Sequence, residues 1–284
     1  MTADELVALF DLEPSGPDRF VGHSPQNGWK RVFGGQVLAQ SLVAAERTVE
    51  ARAPHSLHAY FLLGGDPKEP ILFEVERLRD GRSFTTRRIV ARQKGEAIFV
   101  MTTSFHVSEP GFDHAAPMPA APPPEECPDP AKAVEVLEGP ARFRMKGMLD
   151  TTWPIEFRPT DLKRYTGIPH DGRVMLWTRI GERLPDSLAL HRAALLYLSD
   201  MSLLGTALAP HGRVVYDNRI QIASLDHALW FHRPARADEW LLYVQDSPNA
   251  SGATALVRGL LYTQDGVLVA SVAQEGLLRQ RRDN

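Results

Sequence analysis

This 284-residue chain repeats its own pattern on either side of a proline-rich stretch. The divider is APMPAAPPPEECPDP (116–130), a composition shift expected of a linker (111–139) crossing the surface between folded units at 1–110 and 140–284. Before it, GGQVLAQSLVAAERTV (34–49) places Val37, Leu38, Leu42 and Ala45 at helical spacing, and strand-like runs follow at 56–63, 71–80, 83–93 and 97–107. After it, a helical stretch at 188–204 precedes strand-like runs at 220–231, 240–247, 253–264 and 267–279. Short strings align too: SLHA (56–59) with SLDHA (224–228), and QKGEAIFV (93–100) with QDGVLVAS (264–271), at an offset near 170.

A period this long indicates a duplicated domain and not a solenoid, each copy pairing one long helix with an antiparallel sheet. One helix cannot cover both the face and the edges of its sheet. The two copies are therefore expected to join their sheets edge to edge around the two helices.

Composition narrows the function. A net charge of −3 gives no surface suited to neutralising many phosphates, so nucleic acid is not an expected partner. No basic start with a cleavage signal and no run of eighteen apolar residues is apparent, so a cytoplasmic protein without membrane insertion is expected. The single cysteine, Cys127, excludes an intrachain disulfide and lies in the proline-rich stretch, away from any evident site. His106, His191 and His232 lack metal-ligand spacing, so neither a metal nor an organic cofactor is expected.

In the second copy Asp200 lies in the otherwise apolar helical stretch around YLSDMSLL, and Gln274 interrupts the apolar run VLVASVA. From residue types alone, Asp200 reads either as a paired functional acid or as a carboxylate on the wet side of its helix. Ser224, in the strand-like run IQIASLDHALWF, and Gln274 read first as plain strand residues, and otherwise as groups that orient a water.

The motifs VFGGQVLAQSL (32–42), LRDGRSFTTRR (78–88), YLSDMSLL, IQIASLDHALWFHRP (220–234), EWLLY (239–243) and LYTQDGVLVASVAQEGLLR (261–279) occur in order along nearly the whole chain. By them the chain resembles the acyl-CoA thioesterase II family, whose members are tandem hot-dog domains. The resemblance implies an α+β double hot-dog in which two long helices are wrapped by antiparallel sheets that join into one. It also implies hydrolysis of acyl-CoA to free fatty acid and coenzyme A, with Asp200, Ser224 and Gln274 holding the attacking water and Asp200 as base. The hydroxyl position is often threonine in that family; serine keeps the oxygen and loses the methyl that restricts its rotamer.

Expected substrate contacts are Gly34 and Gly35 at a helix start, His58, and Arg82, Ser83, Arg87 and Arg88 from the arginine-rich segment 76–94. Arginines on a strand and its turn can meet coenzyme A phosphates, and the same charges also fit a solvated sheet face. His58 and His227 fall at nearly matching places in the copies, which suits a repeated structural role. Ser104 falls near the place matching Gln274, yet the first copy has no carboxylate matching Asp200, so one working site per chain is expected. Exposed sheet edges suggest a homo-oligomer, a dimer or tetramer. Two rival functions share the fold class: a hot-dog enoyl-CoA hydratase, and an acyl-CoA binding module without chemistry. Asp226 and His227, adjacent on a strand, point to opposite faces and cannot serve as the hydratase pair.

Overall fold

The computed structural model describes residues 1–26, 28–149 and 153–281, so small parts of the second unit (150–152 and 282–284) lie outside the described residues. In chain order the elements are α1 (Ala3–Phe10), β1 (Glu13–Pro14), β2 (Arg19–Gly22), α2 (Gly34–Glu46), β3 (Ala53–Phe61), β4 (Ile71–Asp80), β5 (Phe84–Gln93) and β6 (Glu96–His106). Then come α3 (Pro130–Val136), α4 (Gly139–Leu149), β7 (Ile155–Pro159), β8 (Val174–Ile180), α5 (Leu188–Ser199), β9 (Ile220–Ser224), β10 (Asp226–Phe231), β11 (Leu241–Ser251), β12 (Thr254–Thr263) and β13 (Leu268–Gln280).

The strands form one antiparallel sheet ordered β1-β2-β4-β5-β6-β3-β10-β13-β12-β11-β8-β7, with β9 also on β13. Read outward from the centre, β3-β6-β5-β4-β2-β1 mirrors β10-β13-β12-β11-β8-β7, so the duplication is visible as a pseudo-twofold arrangement. The copies meet where β3 pairs with β10, His58 lying opposite Ala228. Those two positions differ by the same offset that aligns the sequence strings, which places the pseudo-axis at this seam.

Inside the curved sheet, α2 and α5 pack antiparallel. The small residues of GGQVLAQSLVAAE let α2 bury nearly its whole length, and its buried amides are satisfied: Gln36 Nε2 donates to Ser24 Oγ (2.9 Å) and Gln40 Nε2 to the Leu9 carbonyl (2.9 Å). Across the helix pair Arg192 donates to Glu46 (2.8 Å). Leu38, Leu42, Leu57 and Phe73 from the first copy join Leu196, Leu229, Tyr243 and Val257 from the second in a single core. Alternation of buried and open positions along β5 and β12 leaves one sheet face on this core and turns the other outward. Leu188–His211 is long and apolar enough to cross a membrane, but 72% of its most apolar window is buried inside the fold, as befits a core helix.

Three local expectations change. The run 220–231 is not one strand: it breaks at Leu225, whose N–H donates to the Glu275 carbonyl. Register on β13 slips from Ser224 opposite Gly276 to Ala228 opposite Ala273, the extra residue forming a bulge. That slip separates His58 from His227. His227 is fully buried and faces the core, whereas His58 is exposed on the outer face beside Trp230, so the two histidines are not counterparts. Finally, the proline-rich segment packs against the outer face of the second copy: Trp177 Nε1 donates to the Pro122 carbonyl (2.8 Å), and Cys127 is buried beside Trp177, Leu242 and Tyr262. Burial raises the Cys127 thiol above its ordinary range, as expected of an inert structural cysteine.

Candidate active site

Asp200 is not inside α5 but at its C-cap, where the helix turns toward a 3-10 segment, Leu204–His211. The last turn of α5 is fixed from below: Tyr243 donates to the Ser199 carbonyl (2.9 Å), and Ser199 Oγ lies 3.0 Å from His227 Nε2. Ser199 Oγ also donates to the Leu196 carbonyl (2.8 Å), so it accepts from His227 Nε2–H. Burial pushes the His227 imidazole down to about 3, which keeps it neutral and removes it as a base.

Opposite Asp200 stands the N-terminus of α2. The Gly35 N–H donates to the Asp200 carboxylate, so the positive end of a helix faces the acid. This approach requires glycine. A Cβ on Gly34 would sit 2.6 Å from Asp200 Oδ2, and one on Gly35 would sit 2.3 Å from the Tyr197 carbonyl oxygen.

Gln274 and Ser224 complete the group. Gln274 Nε2 donates to Asp200 Oδ1 (2.7 Å) and to Ser224 Oγ (2.9 Å), while Ser224 donates its own proton to Asp200. A carboxylate can only accept, so the amide nitrogen must face it, and both amide hydrogens are thereby used. Gln274 Oε1 is buried without a hydrogen-bond partner. Burial is the largest influence on Asp200 and raises its pKa above the ordinary carboxylate value; Gln274, Gly35 and Ser224 pull it back by bonding the ionised form. The residue is enclosed by protein on most sides and open toward a cleft.

That cleft has a volume of about 450 Å³ and draws its walls from both copies. Phe33, Phe61 and Phe99 line it from the first copy, and Ile155, Phe157, Leu176 and Ile222 from the second, with Asp200, Ser224 and Gly34 at the junction. An apolar slot with a few convergent polar groups is the usual form of a small-molecule site. Among the described residues, no cluster of histidine, cysteine and acid side chains fits a metal ion.

The other sequence-selected residues lie elsewhere. His58, Arg82, Ser83, Arg87 and Arg88 do not line this cleft. Arg88 is exposed and pairs with Glu76 (3.3 Å), and Arg82 is exposed at a turn, its carbonyl accepting from Arg52. Arg87 is 1% exposed and committed to structure, donating to Thr48 Oγ1 (2.9 Å), the Thr48 carbonyl (3.2 Å) and Asp80 (2.6 Å). Its register also fixes which residues face inward in the first copy. Arg87 lies opposite Thr103 as Val257 lies opposite Gln274, so Thr103, not Ser104, is the inward position matching Gln274. Ser104 sits on the outer face against His55 (2.9 Å). In the first copy the interior corresponding to the site is filled by Arg87 bound to Thr48, just past the end of α2. Residue type and spacing give no sign of which of two adjacent arginines faces inward; the parity of β5 does.

Comparison with known proteins agrees with this architecture. The family described as Acyl-CoA thioesterase matches residues 147–277, and the family described as Acyl-CoA thioesterase N-terminal domain matches 23–106. Acyl-coenzyme A thioesterase 8 of Homo sapiens is 38% identical over 96% of this chain and 88% of its own length. Acyl-CoA thioesterase 2 of Haemophilus influenzae is 35% identical, with 97% of each chain covered. The crystal structure of the acyl-CoA thioesterase II TesB2 from Mycobacterium marinum superposes with a TM-score of 0.79 at 43% identity, covering 97% of this chain and 98% of that one. The chain thus belongs to the acyl-CoA thioesterase II family, a double hot-dog thioester hydrolase acting on acyl-CoA.

Proposed function

We propose that hydrolysis proceeds by direct attack of a water molecule bound between Asp200 and Ser224, with Asp200 as general base and Gln274 as a positioning residue. The observation that carries this reading is the pair of bonds from one amide nitrogen, Gln274 Nε2, to both Asp200 and Ser224 at the cleft wall. Gln274 has no hydrogen left for a water and its oxygen is sealed in, so its part is to hold the acid and the hydroxyl in register. Ser224 accepts from Gln274 and donates to Asp200, which leaves one lone pair to accept a hydrogen from the water.

In the reaction, water oxygen bonds to the thioester carbonyl carbon as Asp200 takes one of its protons, since neutral water is a poor nucleophile without a base. The tetrahedral oxyanion is met by N–H dipole at the start of α2, where Gly34 lines the cleft. Collapse breaks the carbon–sulfur bond, and protonated Asp200 returns its proton to the departing thiolate. Free acid and coenzyme A thiol are released, and the carboxylate is regenerated. The raised pKa of Asp200 suits this part, because a more basic carboxylate is a better proton acceptor.

A single turnover with enzyme in excess in ¹⁸O-labelled water tests the scheme. Direct attack puts the label in the released fatty acid in that first turnover. Unlabelled acid with label left in Asp200 would instead mean a covalent anhydride and overturn the assignment.

A further inference from the structure

Asp200 occupies an awkward place on its helix. The C-terminal end of α5 gathers the negative end of the helix dipole, and a carboxylate at the C-cap is set against like polarity. A basic side chain in the last turn is the usual remedy, and α5 has none there. Neutral donors take up the end carbonyls instead: Ser199 Oγ donates to Leu196 (2.8 Å), the Met201 N–H to Leu198 (3.2 Å) and the Tyr243 hydroxyl to Ser199 (2.9 Å). The Ser199 carbonyl belongs to the peptide that leads directly into the acid.

Tyr243 is fitted to that carbonyl. Its side chain is fully buried on the inward face of β11, and β12 makes room for the ring with Gly259, where a Cβ would sit 2.2 Å from Tyr243 Cε2. Burial and the nearby charge of Asp200 both hold the phenol well above its ordinary range, so it stays neutral and keeps its proton to donate. The other groups around the acid have separate partners or lie off it. His227 of β10 is neutral and bound to Ser199 Oγ, and Gly35 of α2, Ser224 of β9 and Gln274 of β13 bond the carboxylate itself. Arg31 and Arg164 line the cleft, yet the influences on the Asp200 carboxyl are burial, Gln274, Gly35 and Ser224.

We infer that Tyr243 is a positioning residue for hydrolysis, holding the Ser199–Asp200 peptide so that the carboxylate meets Ser224 and Gln274 and is spared the bare negative end of α5. This rests on Asp200 being the base. Without the hydroxyl, a buried carbonyl beside the carboxylate loses its donor, the peptide is free to tilt, and the ionised acid is less favoured. A cation in the same place would also seal the carbonyl, but it would lower the basicity on which proton abstraction depends. A neutral phenol does the first without the second.

The test measures kcat, KM and the pH profile of kcat/KM with octanoyl-CoA in the wild-type chain, Tyr243→Phe, Gly259→Ala, Tyr262→Phe and Asp200→Asn. Tyr243→Phe keeps the ring and loses only the donor, so kcat falls roughly 10- to 100-fold while KM changes less than about threefold. Because the anion is less favoured, the acid limb moves to higher pH, by roughly half a unit or more. Gly259→Ala displaces the ring with its hydroxyl intact and gives the same pattern; it carries the test if circular dichroism shows Tyr243→Phe misfolded. Wild-type kcat in Tyr243→Phe, or a lower kcat with the acid limb unmoved, would overturn the inference. So would an equal effect in Tyr262→Phe, which removes a buried hydroxyl from the cluster around Trp177 and Leu242. Asp200→Asn separates the two claims: persistent turnover there rejects the base and the inference with it, whereas silence there beside wild-type kinetics in Tyr243→Phe rejects the positioning role alone.

Discussion

Replacing Asp200 with asparagine should separate activity from stability, moving them in opposite directions. Asparagine keeps the shape and one acceptor oxygen for Gln274 Nε2, but the amide takes no proton from water. Loss of general-base assistance lowers kcat by roughly 10²–10⁴, equivalent to about 3–5 kcal/mol of barrier. Stability follows the sign of the pKa shift. Burial raises the carboxyl above its ordinary value of 3.8, so the fold favours the neutral form; that preference is present at low pH and is lost as pH rises through the folded-state pKa. At pH 7 the charge is therefore a liability to the fold, and Asp200→Asn melts at the wild-type temperature or above it. Release of coenzyme A thiol reports the rate, and Cys127, being buried, stays out of the readout. Profiles of kcat/KM from pH 4.5 to 8 add a second check: the wild-type acid limb, above 3.8 because of the raised pKa, disappears in the variant. Near-normal turnover, an acid limb that survives the substitution, or a large drop in melting temperature would each refute the reasoning.

Gln274→Ala should depress kcat more than Ser224→Ala, because the amide holds two partners and the hydroxyl can be replaced by a second water; steady-state kinetics showing the reverse order would contradict the positioning role. Arg87→Ala should destabilise the fold by roughly 3–5 kcal/mol in urea titrations while leaving KM for acyl-CoA unchanged in the folded fraction, since the side chain is buried in a structural network. His227, held neutral with its pKa down at about 3 against 6.5 unfolded, contributes stability above pH 6.5 that drains away as pH falls toward 3. Between pH 7 and 5 this amounts to about 2 kcal/mol, measurable as a lower urea midpoint, and His227→Asn should flatten the dependence.

The duplication was legible because its signal is periodicity, and periodicity is a property of the chain itself. Edge-to-edge joining of the copies was expected and the structure puts the seam at β3 and β10, while Gly34 and Gly35 marked a helix start that turned out to touch the acid. What depends on facing was harder to see. One extra residue in SLDHA against SLHA reversed the face of a histidine, and the shared offset near 170 pointed to Ser104 where the inward residue is Thr103. Asp200, Ser224 and Gln274 are far apart in sequence and come from a helix end and two strands, so only the resemblance linked them before the fold did.

The seam between β3 and β10 also changes how the enzyme responds to dilution and damage. Two separate hot-dog chains would have to find each other before any shared cleft existed; here the meeting is intramolecular and independent of concentration. A protease cutting the proline-rich segment would leave fragments still zipped by main-chain bonds along that seam and by the common core. Tethering further releases the copies from having to be identical, and one of them has filled its own chamber with Arg87 while its neighbour keeps an open one.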